Sequence, residues 1–117
     1  MRDFQSLCQI RRSYRKYTNQ PVEQEKLDYI IRCALMSPAG KRMNPWRFVV
    51  IKNEAILRQL AGCRTYGSGM FDTAMAGIVV AADTSVIDTW QCDAAIAAQN
   101  IWLAAADQGL GACWCHV

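Results

Sequence analysis

The sequence predicts a single α+β or α/β domain with helices flanking a central sheet in three layers. Segments with helical spacing of apolar residues alternate along the chain with two short apolar runs of strand length, residues 46–51 and 77–82. The 117 residues are 52% hydrophobic and 20% charged, enough to bury one small core and too apolar for a disordered chain. No repeat, low-complexity tract or interdomain linker interrupts residues 1–117.

Residues 3–11 read as a short helix, with Phe4, Leu7, Cys8 and Arg11 recurring at helical spacing. It runs directly into Arg11-Arg12-Ser13-Tyr14-Arg15, three arginines and a serine within five residues. Arginine presents a rigid fork of donors that matches a phosphate, and serine adds a hydroxyl, so this stretch reads as a clamp for one anionic group. The alternative is a solvated helix end whose cations complement the helix dipole. Tyr14 and Tyr17 alternate around Arg15 and Lys16 in an extended segment, which Asn19-Gln20-Pro21 punctuates.

Residues 23–36 form the clearest amphipathic helix, with Leu27, Ile30, Ile31, Ala34 and Leu35 on its inner face and Glu23 and Glu25 at its start. Ser37-Pro38-Ala39-Gly40 ends it, and the basic loop Lys41-Arg42-Met43-Asn44-Pro45 leads into a strand at residues 46–51. This loop is either a plain helix-to-strand connection or a binding loop. Its proline, glycine, two cations and carboxamide directly before a buried strand favour binding.

Asn53 caps a helix over residues 54–61 with Leu57 and Leu60 inward. A polar, glycine-rich loop covers residues 62–69, and residues 70–76 make a helical turn. The continuous apolar run at 77–82 predicts a central strand covered on both faces and ended by Asp83 and Thr84. Residues 88–108 form a long helix, nearly all apolar and mostly alanine from Ala94 to Ala106. A helix apolar all round is buried on all sides, which in so short a chain calls for a second subunit and predicts a dimer core. Gln99 and Asn100, its polar exceptions, are expected to bond within the core. Gly109 supplies the left-handed C-terminal position, and residues 111–117 are expected to form a short last strand.

Net charge is +3, too mild to argue for nucleic acid and better suited to a small anionic ligand. No signal peptide or transmembrane segment is read, and the protein is expected to be cytoplasmic with its six cysteines buried and reduced. Cys113, Cys115 and His116 lie close together, but no second ligand pair stands at zinc spacing, so no metal is predicted. His116 is the only histidine, and Asp83, Asp88 and Asp93 look like strand-end and helix-start residues. Nucleophilic and two-carboxylate catalysis therefore lack a signature. The glycine-rich phosphate loops are absent. A chain poor in acid/base residues but able to grip an anion points to a cofactor that carries its own chemistry.

Four stretches together resemble the FMN-dependent nitroreductase family of compact bacterial type. Residues 11–17 are similar to its RRSxRxF/Y segment, and residues 37–46 to its SPSGxNxQPW loop. The strand ending at Asp83 matches, and residues 93–114 are similar to its DxAxAxQNxxLxAxxxGLGxCW run. The resemblance implies a dimeric α+β three-layer sandwich, with residues 1–117 as one FMN-binding domain. It implies that Arg11 and Ser13 hold the FMN phosphate beside Arg12, and that Arg15 approaches the ring and ribityl chain and stabilises reduced flavin, with Arg42 second. Pro38, Ala39, Gly40, Arg42 and Asn44 would cover the flavin from the partner subunit. Cys113, Trp114, Cys115 and His116 match the strand whose backbone borders the ring. No side chain is assigned as a catalytic acid or base. The implied activity is ping-pong hydride transfer from NADH or NADPH through FMN to a nitroaromatic, quinone or related acceptor, in a homodimer with shared sites and no nucleic-acid or membrane partner. Arg42 stands where the family usually has asparagine, and Asn44 where it usually has glutamine. The family continues past the position of Val117 through a further helix, strand and basic segment, so the chain reads as truncated. That leaves a flavin- or nucleotide-binding module without turnover as the alternative, ahead of a redox or metal protein built on Cys113, Cys115 and His116.

Overall fold

A short helix, α1 (Phe4–Ile10), starts where the Asp3 carboxylate accepts the Ser6 N–H at 2.8 Å. The same bond holds the Asp3 carboxyl below its usual range. The computed structural model of the protein describes residues 2–117. Against expectation, α1 buries no side chain: Leu7 is half-buried, while Phe4 and Cys8 are exposed. It rests on the side of α4 (Trp90–Asp107) through too short a length to cover its own apolar residues.

Helix α2 (Gln24–Leu35) packs along α4 and buries Leu27, Ile30 and Ala34. Ile30 meets Ala104 and Ala105 at the centre of the core, where alanine lets the two backbones approach. Ile31 is half-buried, whereas Leu35, expected inward, is exposed. It lies about 100° around the helix from Ala34 and so falls off the packed stripe.

Strands β1 (Trp46–Ile51) and β2 (Gly77–Ala82) pair antiparallel, with Trp46 opposite Ala82 and Ile51 opposite Gly77. Alternation divides the sheet into two faces. Ile78 packs against the Ile30–Ala104–Ala105 cluster, which puts α2 and α4 on one face. A Cβ at Gly77, on the other face, would lie 3.2 Å from Leu57 of α3 (Glu54–Leu60) and 3.3 Å from Phe71 in a 3-10 turn (Gly69–Asp72). Helices thus flank the sheet on both sides, and the architecture is α+β.

Asn53 caps α3 as expected, its side-chain oxygen accepting the Ile56 N–H at 3.0 Å, and Gly109 takes the left-handed position after α4 at φ 75°. Four expectations need correction. Strand β2 is not a central strand within the described residues: it pairs only with β1, and Val79 and Ala81 are exposed beside Val49. Its second face is covered by α3 only at the Gly77 end. Among the described residues, 111–117 form no strand and make one parallel bridge, Ala112 to Ser13, since a strand needs a paired partner and only this contact with the extended segment after α1 is made. Helix α4 is not buried all round: Asp93, Ala97 and Ala104 to Ala106 are buried, while Cys92, Ala95, Ile96 and Gln99 face outward. Nor is any cysteine buried: Cys8, Cys63 and Cys92 are exposed and Cys33, Cys113 and Cys115 half-buried, all as free thiols. Apolar neighbours along the chain do not fix which way a thiol faces; Cys8 and Cys92 lie on outer helix faces and Cys63 in the loop after α3.

Candidate functional site

The arginine cluster begins at the end of α1, where Arg11 is the C-cap residue and its N–H donates to the Leu7 carbonyl at 3.0 Å. It is pinned to α4. The Arg11 guanidinium lies 4.4 Å from the centroid of the Trp102 ring, a cation–π contact. The Trp102 indole N–H donates to the Arg12 carbonyl at 3.2 Å. Two residues on, Ser13 bridges Ala112, and the Tyr14 N–H donates to the Ala112 carbonyl at 3.0 Å. Gly111 makes this approach possible, since a Cβ there would come within 2.9 Å of the Tyr14 ring. The first and last motifs, about a hundred residues apart in sequence, are therefore side by side.

The side chains of Arg12, Ser13 and Arg15 are exposed and make no hydrogen bond or ion pair among the described residues. Tyr17 anchors the segment from below: its N–H donates to Thr73 Oγ1 at 3.0 Å and its hydroxyl to the Tyr14 carbonyl. Burial, then the nearby Cys113 thiol, pushes the Tyr17 hydroxyl up to about 12. Beyond the bridge, Trp114 and His116 are exposed and Cys115 half-buried. The His116 carbonyl accepts from Arg64, which ties the tail to the loop after α3. Burial, reinforced by the Cys63 thiol, raises the Cys115 thiol above its ordinary value.

The loop after α2 is built on the opposite side of α4. Ser37 is buried and accepts from Asn100 Nδ2 at 2.8 Å, so Asn100 bonds inside the core as expected; Gln99 instead faces outward. Gly40–Arg42 forms a 3-10 turn. Lys41, Arg42 and Asn44 all take left-handed backbone, at φ 51°, 56° and 47°. Such angles are uncommon outside glycine and cost energy that surrounding contacts must offset. The contacts here converge on Asp93, which is 3% exposed. Its Oδ1 accepts the Gly40 N–H and its Oδ2 the Thr89 hydroxyl, each at 3.1 Å. A Cβ on Gly40 would stand 2.4 Å from Thr89 Oγ1, so only glycine fits against this anchor. Asp93 is a helix-start residue, as its position suggests; its second role, facing the loop, has no signature in the sequence. Pro38 is exposed and Ala39 half-buried, Pro45 is buried, and the Trp46 indole nitrogen behind it is buried without a hydrogen-bond partner.

The chain does not bring the loop and the arginine cluster to one place. Asn100 and Trp102 point about 200° apart around α4, one toward Ser37 and the other toward Arg12. Neither of two open grooves coincides with the cluster. One of about 420 Å³ is lined by Tyr17, Glu54, Arg58 and Thr73, and one of about 290 Å³ by Phe4, Tyr29, Cys33 and Leu103. Among the described residues, no three His, Cys, Asp or Glu side chains are placed to share a metal ion, and no helix is long and apolar enough to cross a membrane.

Comparison with known proteins identifies the family. The model of the nitroreductase family matches residues 9–63 and 63–117. A protein of Methanothermobacter thermautotrophicus provisionally named NADH dehydrogenase/NAD(P)H nitroreductase is 36% identical, with the match covering 98% of this chain and 61% of that protein. One of the same name from Archaeoglobus fulgidus is 31% identical over 100% of this chain and 69% of its own. The structure of an FMN-dependent nitroreductase from Clostridium difficile R20291 superposes with a TM-score of 0.93 at 42% identity, over 95% of this chain and 65% of that one. The chain thus spans roughly two thirds of the length of these relatives. With the family model running through the arginine cluster, the anchored loop and the Gly111 bridge alike, this chain belongs to the nitroreductase family.

Proposed function

We propose that the chain is the FMN-binding domain of an NAD(P)H oxidoreductase that reduces nitroaromatic, quinone or related acceptors by a ping-pong cycle. The observation that carries this reading is the bridge between Ser13 and Ala112. It gathers the arginine cluster and the Gly111–His116 backbone at one edge of the molecule, with Arg12, Ser13 and Arg15 free to meet an anion. That donor set fits a phosphate monoester: planar guanidinium forks, one hydroxyl, and no carboxylate bonded among them. FMN, when bound, would supply two-electron transfer between a nicotinamide and an acceptor.

The chain's own residues would do the rest. Arg11 and Ser13 would hold the phosphate beside Arg12, with Arg11 kept in place by its stack on Trp102. Arg15 would set a positive charge beside the ring, favouring accumulation of negative charge there. The backbone of Trp114, Cys115 and His116 would border the ring. Pro38, Ala39, Gly40, Arg42 and Asn44 would cover it from a second copy of the chain. Two features support that arrangement: the loop and the arginine cluster face opposite sides of α4, and α4 keeps an apolar face, with Ala95 and Ile96 exposed. The similarity to an FMN-dependent nitroreductase at 42% identity supports the cofactor.

The test is an absorbance spectrum of the purified protein with FMN, followed by anaerobic NADH titration. A bound flavin spectrum that bleaches with NADH and returns on adding a quinone is the expected result. Bound flavin that NADH cannot bleach would mark a binding module without turnover. A protein that takes up no FMN would overturn the reading.

A further inference from the structure

We propose that Arg42, held outward on the turn anchored by Asp93, selects electron acceptors that carry an anionic group such as a carboxylate. The inference deepens the proposed function and rests on it, since it takes this loop to cover the flavin. Three observations carry it. Lys41 and Arg42 are adjacent cations, both exposed, and neither side chain makes a hydrogen bond or ion pair among the described residues. The turn that presents them is fixed rather than free: Arg42 N–H donates to Ala39 O and Met43 N–H to Gly40 O, each at 3.0 Å. Gly40 is in turn clamped to the buried carboxylate of Asp93, itself held by Thr89. Finally, the left-handed backbone at Lys41, Arg42 and Asn44 keeps three non-glycine residues in a costly conformation.

A plain connection has no need of that conformation. A loop that must aim a side chain does, and the side chains it aims here are positive. A guanidinium on such a loop offers a paired fork of donors to a carboxylate, at little further ordering cost because the backbone is already fixed. A neutral acceptor of the same shape gains nothing from it. Lys41 strengthens the local potential and so the encounter rate with anions. Asp93 acts here as a positioning residue: it touches the loop and not the acceptor.

The experiment compares 4-nitrobenzoate with its neutral isostere 4-nitrobenzamide on the FMN-loaded protein. Dissociation constants come from perturbation of the oxidised flavin spectrum, and kcat/KM from NADH-driven turnover. The unaltered protein is expected to favour the anion by about tenfold in both measures, falling toward parity in half-molar salt. In Arg42→Gln the anion-to-neutral ratio is expected to fall about fivefold or more, and Arg42→Lys should restore only part of it, because lysine returns the charge without the paired fork. Asp93→Asn, which keeps an oxygen and the side-chain size, should lower the ratio through the anion's KM, with the smaller effect on kcat. An equal ratio in the unaltered protein and Arg42→Gln overturns the proposal while leaving the oxidoreductase reading intact. Failure to bind FMN overturns both.

Discussion

A hydrogen where other residues carry a methyl decides whether the two ends of this chain can meet. At Gly111 an added Cβ would press on Tyr14 at 2.9 to 3.1 Å, a residue whose backbone is held by the Tyr17 hydroxyl on its carbonyl and by its own N–H on the Ala112 carbonyl. Gly111→Ala is therefore expected to cost about 1–3 kcal/mol of stability, the usual range for forcing a methyl into a filled site. It should also weaken FMN binding more than its effect on stability alone would explain. Urea unfolding together with an FMN titration checks both. A second expectation at this scale concerns Tyr29, whose hydroxyl donates to Asp107 Oδ2 at 2.7 Å. That bond, with burial, pushes its ionisation up to about 12 from 10.0. A raised value means that the neutral tyrosine is favoured in the folded state. Its stabilising contribution is full below pH 10 and is lost as pH rises from there through about 12. The urea midpoint should fall across that window, and fall less steeply in Tyr29→Phe.

At the scale of elements, what was legible was what local chemistry decides. The asparagine before α3 caps it because its side chain reaches the Ile56 N–H within one turn, and Asn53→Ala should cost about 1 kcal/mol by urea unfolding. Strand β1 keeps its expected bounds because its β-branched and aromatic run ends at a proline on one side and a polar pair on the other. The last expected strand did not form because a strand exists only with a partner, and residues 111–117 find just Ser13. The break between α2 and β1 was legible from the loop's proline and glycine. The loop's geometry was not: left-handed Lys41, Arg42 and Asn44 are not glycines, so nothing in their identity announces the backbone they adopt. Asp93 was hidden for a different reason. A carboxylate in the first turn of a helix is already explained by the dipole, and its hold on Gly40 appears only when residues 53 positions apart come together.

At the scale of the whole molecule, the loop and the arginine cluster pose a geometric question that α4 answers. One face of this helix holds Asp93, Ala97 and Asn100 toward the loop, and Trp102 holds the cluster on the far side. Under the proposed function both serve one flavin, and with the two on opposite sides of α4 in one copy of the chain, that calls for two copies meeting across it. The apolar residues that α4 leaves outward, Ala95 and Ile96 among them, are what such a contact needs. Ile96, 40% exposed in the single chain, discriminates between the arrangements. If each chain acts alone, Ile96→Glu places a charge in water and changes stability by no more than about 0.5 kcal/mol. If two copies share their sites across α4, the same change buries an unpaired carboxylate in the contact and dissociates it. Light scattering of the purified variant is expected to show monomers where the unaltered protein shows dimers, with FMN affinity falling alongside. Dimers that persist with FMN affinity unchanged would place the shared contact elsewhere on the molecule.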